Sequence, residues 1–221
     1  MQTPPPWLQQ EEASLWRGRE ALTAPFLSVL PTGHVQLDQL LPRGGWPSAA
    51  LIECINPQPG VADLQLFLPT LQRVQQHNRY CVLVNPPWLP YPPGLQQSAL
   101  QIEQCLVLHT GSCAAMFWVL EQCLDSPTVG AVIGWARNLK GYNPRRLQRV
   151  ASRSESLAFF CSPRPIRNTP AVLRLQLHHQ AAALEVEVVK CRGILGTRKA
   201  QISFGTTQSS AHLHDAQHAP N

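Results

Sequence analysis

The segment Ala49-Ala-Leu-Ile-Glu-Cys-Ile-Asn-Pro-Gln-Pro-Gly60 decides the fold, because an apolar run leads directly into a turn and then into a helical pattern. Residues 49–55 are apolar apart from Glu53, which predicts a strand buried on both faces of a sheet. Residues 62–77 have large apolar side chains at helical spacing, and Pro69 is expected to kink this helix or end its first turns early. Strand, turn and helix in this order form the repeating unit of a parallel α/β sheet.

The remaining sequence repeats this alternation. Apolar runs predict further strands at 80–85, 105–109, 128–135 and 157–161, and helices between them at 95–103, 112–125 and 143–156. Two β-rich runs, 171–179 and 184–190, then predict a hairpin. The predicted fold class is α/β: a mostly parallel sheet with helices on both faces and a C-terminal β-hairpin.

Composition suggests three parts and excludes several classes of protein. We expect residues 1–25 to form an N-terminal arm with a short helix at 6–21, residues 26–200 to form one α/β domain, and residues 201–221 to form a disordered tail. The longest nearly uninterrupted apolar run, 113–120, is far shorter than a membrane span. The N-terminus has no secretory pattern. These features predict a cytoplasmic protein without membrane contact.

The seven cysteines point to a reducing compartment. Their number is odd, none forms a C-x-x-C pair, and most stand among apolar residues. We therefore interpret them as reduced core thiols. No closed set of metal ligands is evident, since Cys105, His109 and Cys113 fall on a strand and a turn and would not share one helix face. The sequence predicts no metal and no cofactor.

Positive charge is concentrated in the C-terminal part. The net charge is +5, yet residues 1–136 hold five Arg and nine acids, whereas residues 137–221 hold thirteen Arg or Lys and four acids. Arg145, Arg149 and Arg153 follow one another at i, i+4 and i+8, which predicts a basic stripe on one helix face. Such a stripe suits a nucleic acid or an acidic partner, and an ordinary solvated face is the alternative.

The turn after the first long strand is where a nucleotide phosphate would bind in an α/β protein. A phosphate loop there reads G-x-x-x-x-G-K-[ST], but this chain has Val61 and Ala62 in place of the Lys and the hydroxyl residue. No Lys occurs before Lys140. We interpret the loop as vestigial, with no bound nucleotide; its residues are Asn56, Pro57, Gln58, Pro59 and Gly60.

The other parts of a nucleoside triphosphatase are also absent. The strand at 128–135 ends without a carboxylate for Mg²⁺, and the strand at 80–85 is followed by Pro86-Pro-Trp88 with no acid that could position water. We find no catalytic constellation of another kind. The sequence therefore predicts a protein that is not an enzyme and has no catalytic residues.

The proline-rich loop at 86–94 is a candidate binding surface. Its prolines restrict the backbone, and Trp88, Leu89 and Tyr91 are residue types that often anchor interfaces. An equally good interpretation is that Trp88 folds back over the sheet edge as a lid.

Several short strings resemble known families. The strings LWRG at 15–18, LPTG at 30–33, Leu37-Asp38 and LPRGGWP at 41–47 resemble the ImuA family of RecA-like accessory proteins in SOS mutagenesis. The stretches LQLFLPTLQR at 64–73 and Val132-Ile-Gly-Trp135 also resemble SulA, a related family of cell-division inhibitors of the SOS response.

The ImuA resemblance implies a RecA-like core that has lost its ATPase residues and acts as an adaptor in translesion DNA synthesis. Its implied partners are an ImuB-like inactive Y-family polymerase and a DnaE-type error-prone polymerase, with RecA or single-stranded DNA as further candidates. The implied location is the bacterial cytoplasm, near the nucleoid when DNA is damaged. The alternative is a SulA-like inhibitor that binds FtsZ and blocks its polymerisation. A third hypothesis is an NTPase with an unrecognised phosphate site.

Overall fold

A computed structural model describes residues 29–59, 61–88, 91–139, 143–180, 183–191 and 196–204. The predicted N-terminal helix at 6–21 and the predicted tail at 201–221 lie outside the described residues, apart from residues 201–204. Gly60, Leu89 and Lys140 also lie outside them. The expectation that the tail begins at residue 201 was wrong, because Arg198–Ser203 is a strand paired with its neighbour in the sheet. The division at residue 25 stays a prediction.

Eight strands form one sheet in the order β10-β9-β8-β3-β7-β6-β4-β5. These strands are β3 (Leu51–Ile55), β4 (Tyr80–Val84), β5 (Cys105–Leu108), β6 (Val129–Trp135), β7 (Leu157–Ser162), β8 (Leu173–Gln180), β9 (Ala183–Cys191) and β10 (Arg198–Ser203). The six strands from β8 to β5 are parallel, whereas β9 is antiparallel to both β8 and β10. A separate two-stranded ribbon pairs β1 (Val29–Leu30) with β2 (Trp46–Pro47).

Helices cover both faces of this sheet. The helices are α1 (Val35–Leu40), α2 (Val61–Gln76), α3 (Pro92–Gln97), α4 (Cys113–Asp125) and α5 (Pro144–Ala151), with short 3-10 turns at Pro42–Gly44 and Ile102–Gln104. Buried side chains of α1 and α2 belong to one core cluster, and those of α4 and α5 belong to a second cluster on the other face. The mostly parallel α/β sheet is therefore confirmed, and its RecA-like character stays a prediction.

The predicted helix at 62–77 is confirmed as α2, and it does not end early at Pro69. Leu66, Phe67 and Leu71 on both sides of the proline are fully buried, and their packing outweighs the missing hydrogen bond. One predicted helix end was wrong. Helix α5 ends at Ala151 rather than near residue 156, since Ser152 already has the capping position.

The predicted helix at 95–103 is also divided, with α3 followed by a separate 3-10 turn. Polar side chains cap the N-termini of α4 and α5. The Ser112 hydroxyl accepts a hydrogen bond from the backbone N–H of Ala115, and the Asn143 side chain accepts one from the N–H of Arg146.

Trp46 links the ribbon to the main core. Its side chain is fully buried, and its Nε1–H donates to Thr70 Oγ1 at 2.8 Å. Its ring meets Phe159 of β7 edge to face, with 5.1 Å between the centroids. The GGWP string therefore has a packing role, because strand β2 places the large side chain of Trp46 in the core.

Candidate functional site at the carboxyl edge and on helices α4 and α5

The carboxyl ends of the parallel strands form a groove. A cavity of about 220 Å³ lies between the ends of β3, β6 and β7, and one of about 310 Å³ lies between the ends of β4, β5 and β6. Asn85, Trp135 and Arg137 line both cavities. This is the edge where parallel α/β proteins bind small ligands.

The loop after β3 is fixed by a cluster of polar side chains. Asn56 is buried; its amide lies 2.5 Å from Asp63 Oδ2 and 3.3 Å from His179 Nε2. His179 Nε2 also lies 2.9 Å from Asp63 Oδ1. The Oδ1 atom of Asn56 accepts the backbone N–H of Gln58 at 3.0 Å. The proposed vestigial loop thus has a buried carboxylate beside it, which opposes the approach of a phosphate.

The second part of the groove has internally paired polar groups. Asn85 donates from Nδ2 to Thr110 Oγ1 at 2.8 Å and accepts the Thr110 N–H at 2.7 Å. The Cys113 thiol donates to Asn138 Oδ1 at 2.8 Å. The Asn85–Thr110 bonds hold the ends of β4 and β5 together, and the Cys113–Asn138 bond joins the start of α4 to the segment after β6. These polar residues therefore serve the scaffold.

The two aromatic residues of the proline-rich loop have different environments. Trp88 is half-buried against the core, and its ring meets Trp135 at a centroid distance of 5.8 Å. This arrangement matches the lid interpretation. Tyr91 is 72% exposed and is free to contact a partner.

The predicted arginine stripe is only partly on a helix. Arg145 and Arg149 lie on α5, whereas Arg153 follows the end of that helix and pairs with Asp125 of α4, with Nη2 and Oδ1 3.5 Å apart. The expectation of three arginines along one helix face was wrong because α5 is shorter than predicted. All three side chains are exposed.

Trp118 is an exposed residue that sequence reasoning missed. It lies on α4 and is 60% exposed, although it stands inside the apolar run 113–120. A helical projection could have found it, because Met116, Leu120 and Leu124 define the buried side of α4 and Trp118 points away from them.

A group of ionisable side chains occupies the open face of the C-terminal hairpin. His178, Glu185 and Glu187 lie close enough for their ligand atoms to hold one metal ion. Lys199 of β10 lies among the same carboxylates, with Nζ 2.8 Å from Glu185 Oε1 and 3.3 Å from Glu187 Oε2. The ammonium group neutralises these glutamates, so the arrangement serves as a cross-strand ion-pair network.

The cysteines are all free, as expected. Cys54, Cys81 and Cys161 are buried in β3, β4 and β7. Burial raises the pKa of the Cys81 thiol, and a hydrogen bond with Cys54, burial and the nearby Asp63 charge raise the pKa of Cys161. Such thiols are poor nucleophiles at neutral pH.

Comparison with known proteins relates this fold to one family. Residues 50–158 match the family model described as "Cell division inhibitor SulA". The chain is 27% identical over 106 residues to the cell division inhibitor SulA of Serratia marcescens, which covers 48% of this chain and 62% of that protein. It is 26% identical over 102 residues to SulA of Photorhabdus laumondii subsp. laumondii, covering 46% of this chain and 58% of that protein.

This chain is therefore related to the SulA cell-division inhibitors, and that part of the resemblance is confirmed. The matched segment spans about six tenths of the length of these curated relatives. The expectation of an ImuA-type adaptor of translesion synthesis was wrong, and the comparisons do not support the P-loop NTPase relationship that it implied. The family model and both curated relatives are SulA proteins, and none of them points to a polymerase accessory factor.

Within the described residues, no helix combines the length and the apolar character needed to cross a membrane.

Proposed function

We propose that this protein is a SulA-like inhibitor of cell division that binds FtsZ and blocks its polymerisation. The observation that supports this function best is the SulA match at residues 50–158. That segment begins just before β3 and ends at the second residue of β7, so it includes the four parallel strands β3 to β6 and the helices α2 to α5. The relationship thus extends over the scaffold of the sheet.

The inhibitor acts by binding and without catalysis. At the carboxyl edge, Asn56 is paired with Asp63 and Asn85 with Thr110, and burial raises the pKa of the Cys81 thiol. An inhibitor that works by occupying a surface requires no reactive group, which agrees with this chemistry. Its place of action is the bacterial cytoplasm during the SOS response, where FtsZ assembles.

The test is the assembly of purified FtsZ with GTP, followed by light scattering, with the full chain added at increasing molar ratios and without ATP. Inhibition should rise in proportion to the added protein and be complete near stoichiometric amounts, because each inhibitor removes one FtsZ molecule from assembly. The Lys199→Gln variant should inhibit assembly as strongly as the unmodified chain, since Lys199 is exposed and lies outside residues 50–158. Normal assembly at equimolar inhibitor would contradict the proposal.

A further inference from the structure

Helix α4 presents an exposed indole on the side that faces away from the sheet. Trp118 is 60% exposed, and its neighbours on the helix surface, Ala114 and Ala115, are small and exposed. Nothing in the described part of the chain packs over this side of α4. Tryptophan is among the residue types that most often dominate the energy of an interface.

Helix α5 packs against α4, and arginines on and just after α5 pair with carboxylates of α4. Arg146 Nε lies 2.7 Å from Glu121 Oε1, and Arg153 Nη2 lies 3.5 Å from Asp125 Oδ1. Glu121 and Asp125 follow Trp118 by one and two helical turns, so the two ion pairs join α5 and the residues just after it to the side of α4 that carries Trp118.

Arg145 and Arg149 are the remaining cations of this face. Both are exposed on α5, and neither forms an ion pair with any described residue. We call the surface formed by Trp118, Arg145 and Arg149 the Trp–Arg face. Its four arginines, counting Arg146 and Arg153, outnumber its two carboxylates, so it has a positive potential.

We propose that the Trp–Arg face docks an acidic protein surface that has an apolar pocket for the Trp118 indole. This inference rests on the proposed function, in which the partner is FtsZ. The three residues lie within residues 50–158, the segment related to SulA. A protein fits better than a nucleic acid, because Glu121 and Asp125 already engage two of the four guanidinium groups and only one aromatic ring is available for stacking.

The test measures the Kd of the full chain for purified FtsZ at two salt concentrations. Trp118→Ala should raise the Kd about thirtyfold or more, as expected for the central residue of an interface. The double variant Arg145→Gln/Arg149→Gln should raise it several-fold at low salt and reduce its salt dependence, because charges at an interface rim act mainly on association. Trp118→Glu, which also adds a repelling charge, should weaken binding further.

Two controls match these variants. Arg164→Gln/Arg167→Gln removes two exposed arginines beyond residue 158, and Tyr91→Ala removes an exposed aromatic ring from a different surface. Both should leave the Kd within about twofold of the original value, because rim and remote residues contribute little. The melting temperatures of all variants should be unchanged, since the replaced side chains are exposed.

The outcomes separate the two proposals. If the unmodified chain does not bind FtsZ, the proposed function fails, and the Trp–Arg face fails with it as the FtsZ site. If the unmodified chain binds and Trp118→Ala binds equally well, only the Trp–Arg face is overturned. If Arg145→Gln/Arg149→Gln loses affinity for single-stranded DNA while FtsZ binding is unchanged, the face is a nucleic-acid surface and the docking proposal is also overturned.

Discussion

Glu53 Oε2 lies 3.0 Å from Arg174 Nε, and this ion pair joins the central strands β3 and β8. The Glu53 side chain is fully buried, and its second oxygen accepts the backbone N–H of Ile166 at 3.0 Å. Arg174 in turn donates to the Ile166 carbonyl. The Glu53 carboxylate therefore anchors strand β8, through Arg174, and the segment before β8, through Ile166.

Removing one member of this pair should destabilise the protein strongly. Arg174→Met leaves a buried, unpaired carboxylate, and we expect a loss of about 3–5 kcal/mol in the free energy of unfolding measured with urea. The double variant Glu53→Met/Arg174→Met should recover much of this loss because no charge stays buried. Lys199→Met, which breaks an exposed ion pair, should leave the urea midpoint nearly unchanged. A loss below about 1 kcal/mol for Arg174→Met would show that the pair is not structural.

Gly45 is required by close backbone contact. A Cβ atom at this position would lie 2.4 Å from the Leu30 carbonyl oxygen and 2.9 Å from the Pro31 nitrogen, both in the main chain. Gly45→Ala should therefore separate β1 from β2 and cost about 1–3 kcal/mol, which thermal denaturation would report as a lower Tm. Gly111→Ala is the matched control, because nothing lies within 4 Å of its added Cβ. Equal melting temperatures for the two variants would be inconsistent with the packing described here.

His34 should make stability depend on pH. Its Nε2 lies 3.0 Å from the Leu66 carbonyl oxygen. Burial lowers the pKa of His34 below its usual 6.5, although the Leu66 carbonyl and the Asp38 charge act in the opposite direction. Below pH 6.5 the unfolded chain then binds more protons than the folded one, so the stability due to neutral His34 is complete above pH 6.5. This stability is lost as the pH falls from 6.5 through the lowered pKa of His34 in the folded protein.

The pH effect can be isolated with one substitution. Urea denaturation from pH 5 to 7.5 should give a smaller loss of stability at acid pH for His34→Gln than for the unmodified chain, because Gln does not titrate. The difference should correspond to less than one bound proton. His77→Gln is a control, since the ring of His77 lies on the surface. Parallel stability curves for His34→Gln and the unmodified chain would disprove this role of His34.

Mg-ATP should not bind. The loop after β3 lacks the lysine and hydroxyl of a phosphate site, and the Asp63 carboxylate lies beside it in the first turn of α2. Isothermal titration with Mg-ATP should give no saturable heat, either for the unmodified chain or for Asp63→Asn, which removes the repelling charge but adds no phosphate ligand. A micromolar Kd would support the NTPase hypothesis instead.

The sequence predicted the parallel strands well, because a short apolar run bounded by turn residues is typical of a buried strand. It missed β10, whose six residues Arg198–Ser203 include only Ala200 and Ile202 on the buried side. It also missed the contact of Asn56 with His179, which lie 123 residues apart. No periodic pattern in the sequence connects polar residues so far apart. Their contact follows from the strand order, in which β3 and β8 are neighbours.

The position of β3 in the strand order has a consequence for synthesis of the chain. Ile52 is paired with Phe159 on one side and with Leu173 on the other, so both neighbours of β3 come more than a hundred residues later. Pairings between such distant segments slow folding because a long loop must close first. During translation β3 therefore keeps both edges unpaired until the ribosome has released β7, and one edge unpaired until it has released β8. A nascent chain interrupted before residue 173 thus exposes an apolar strand edge to aggregation.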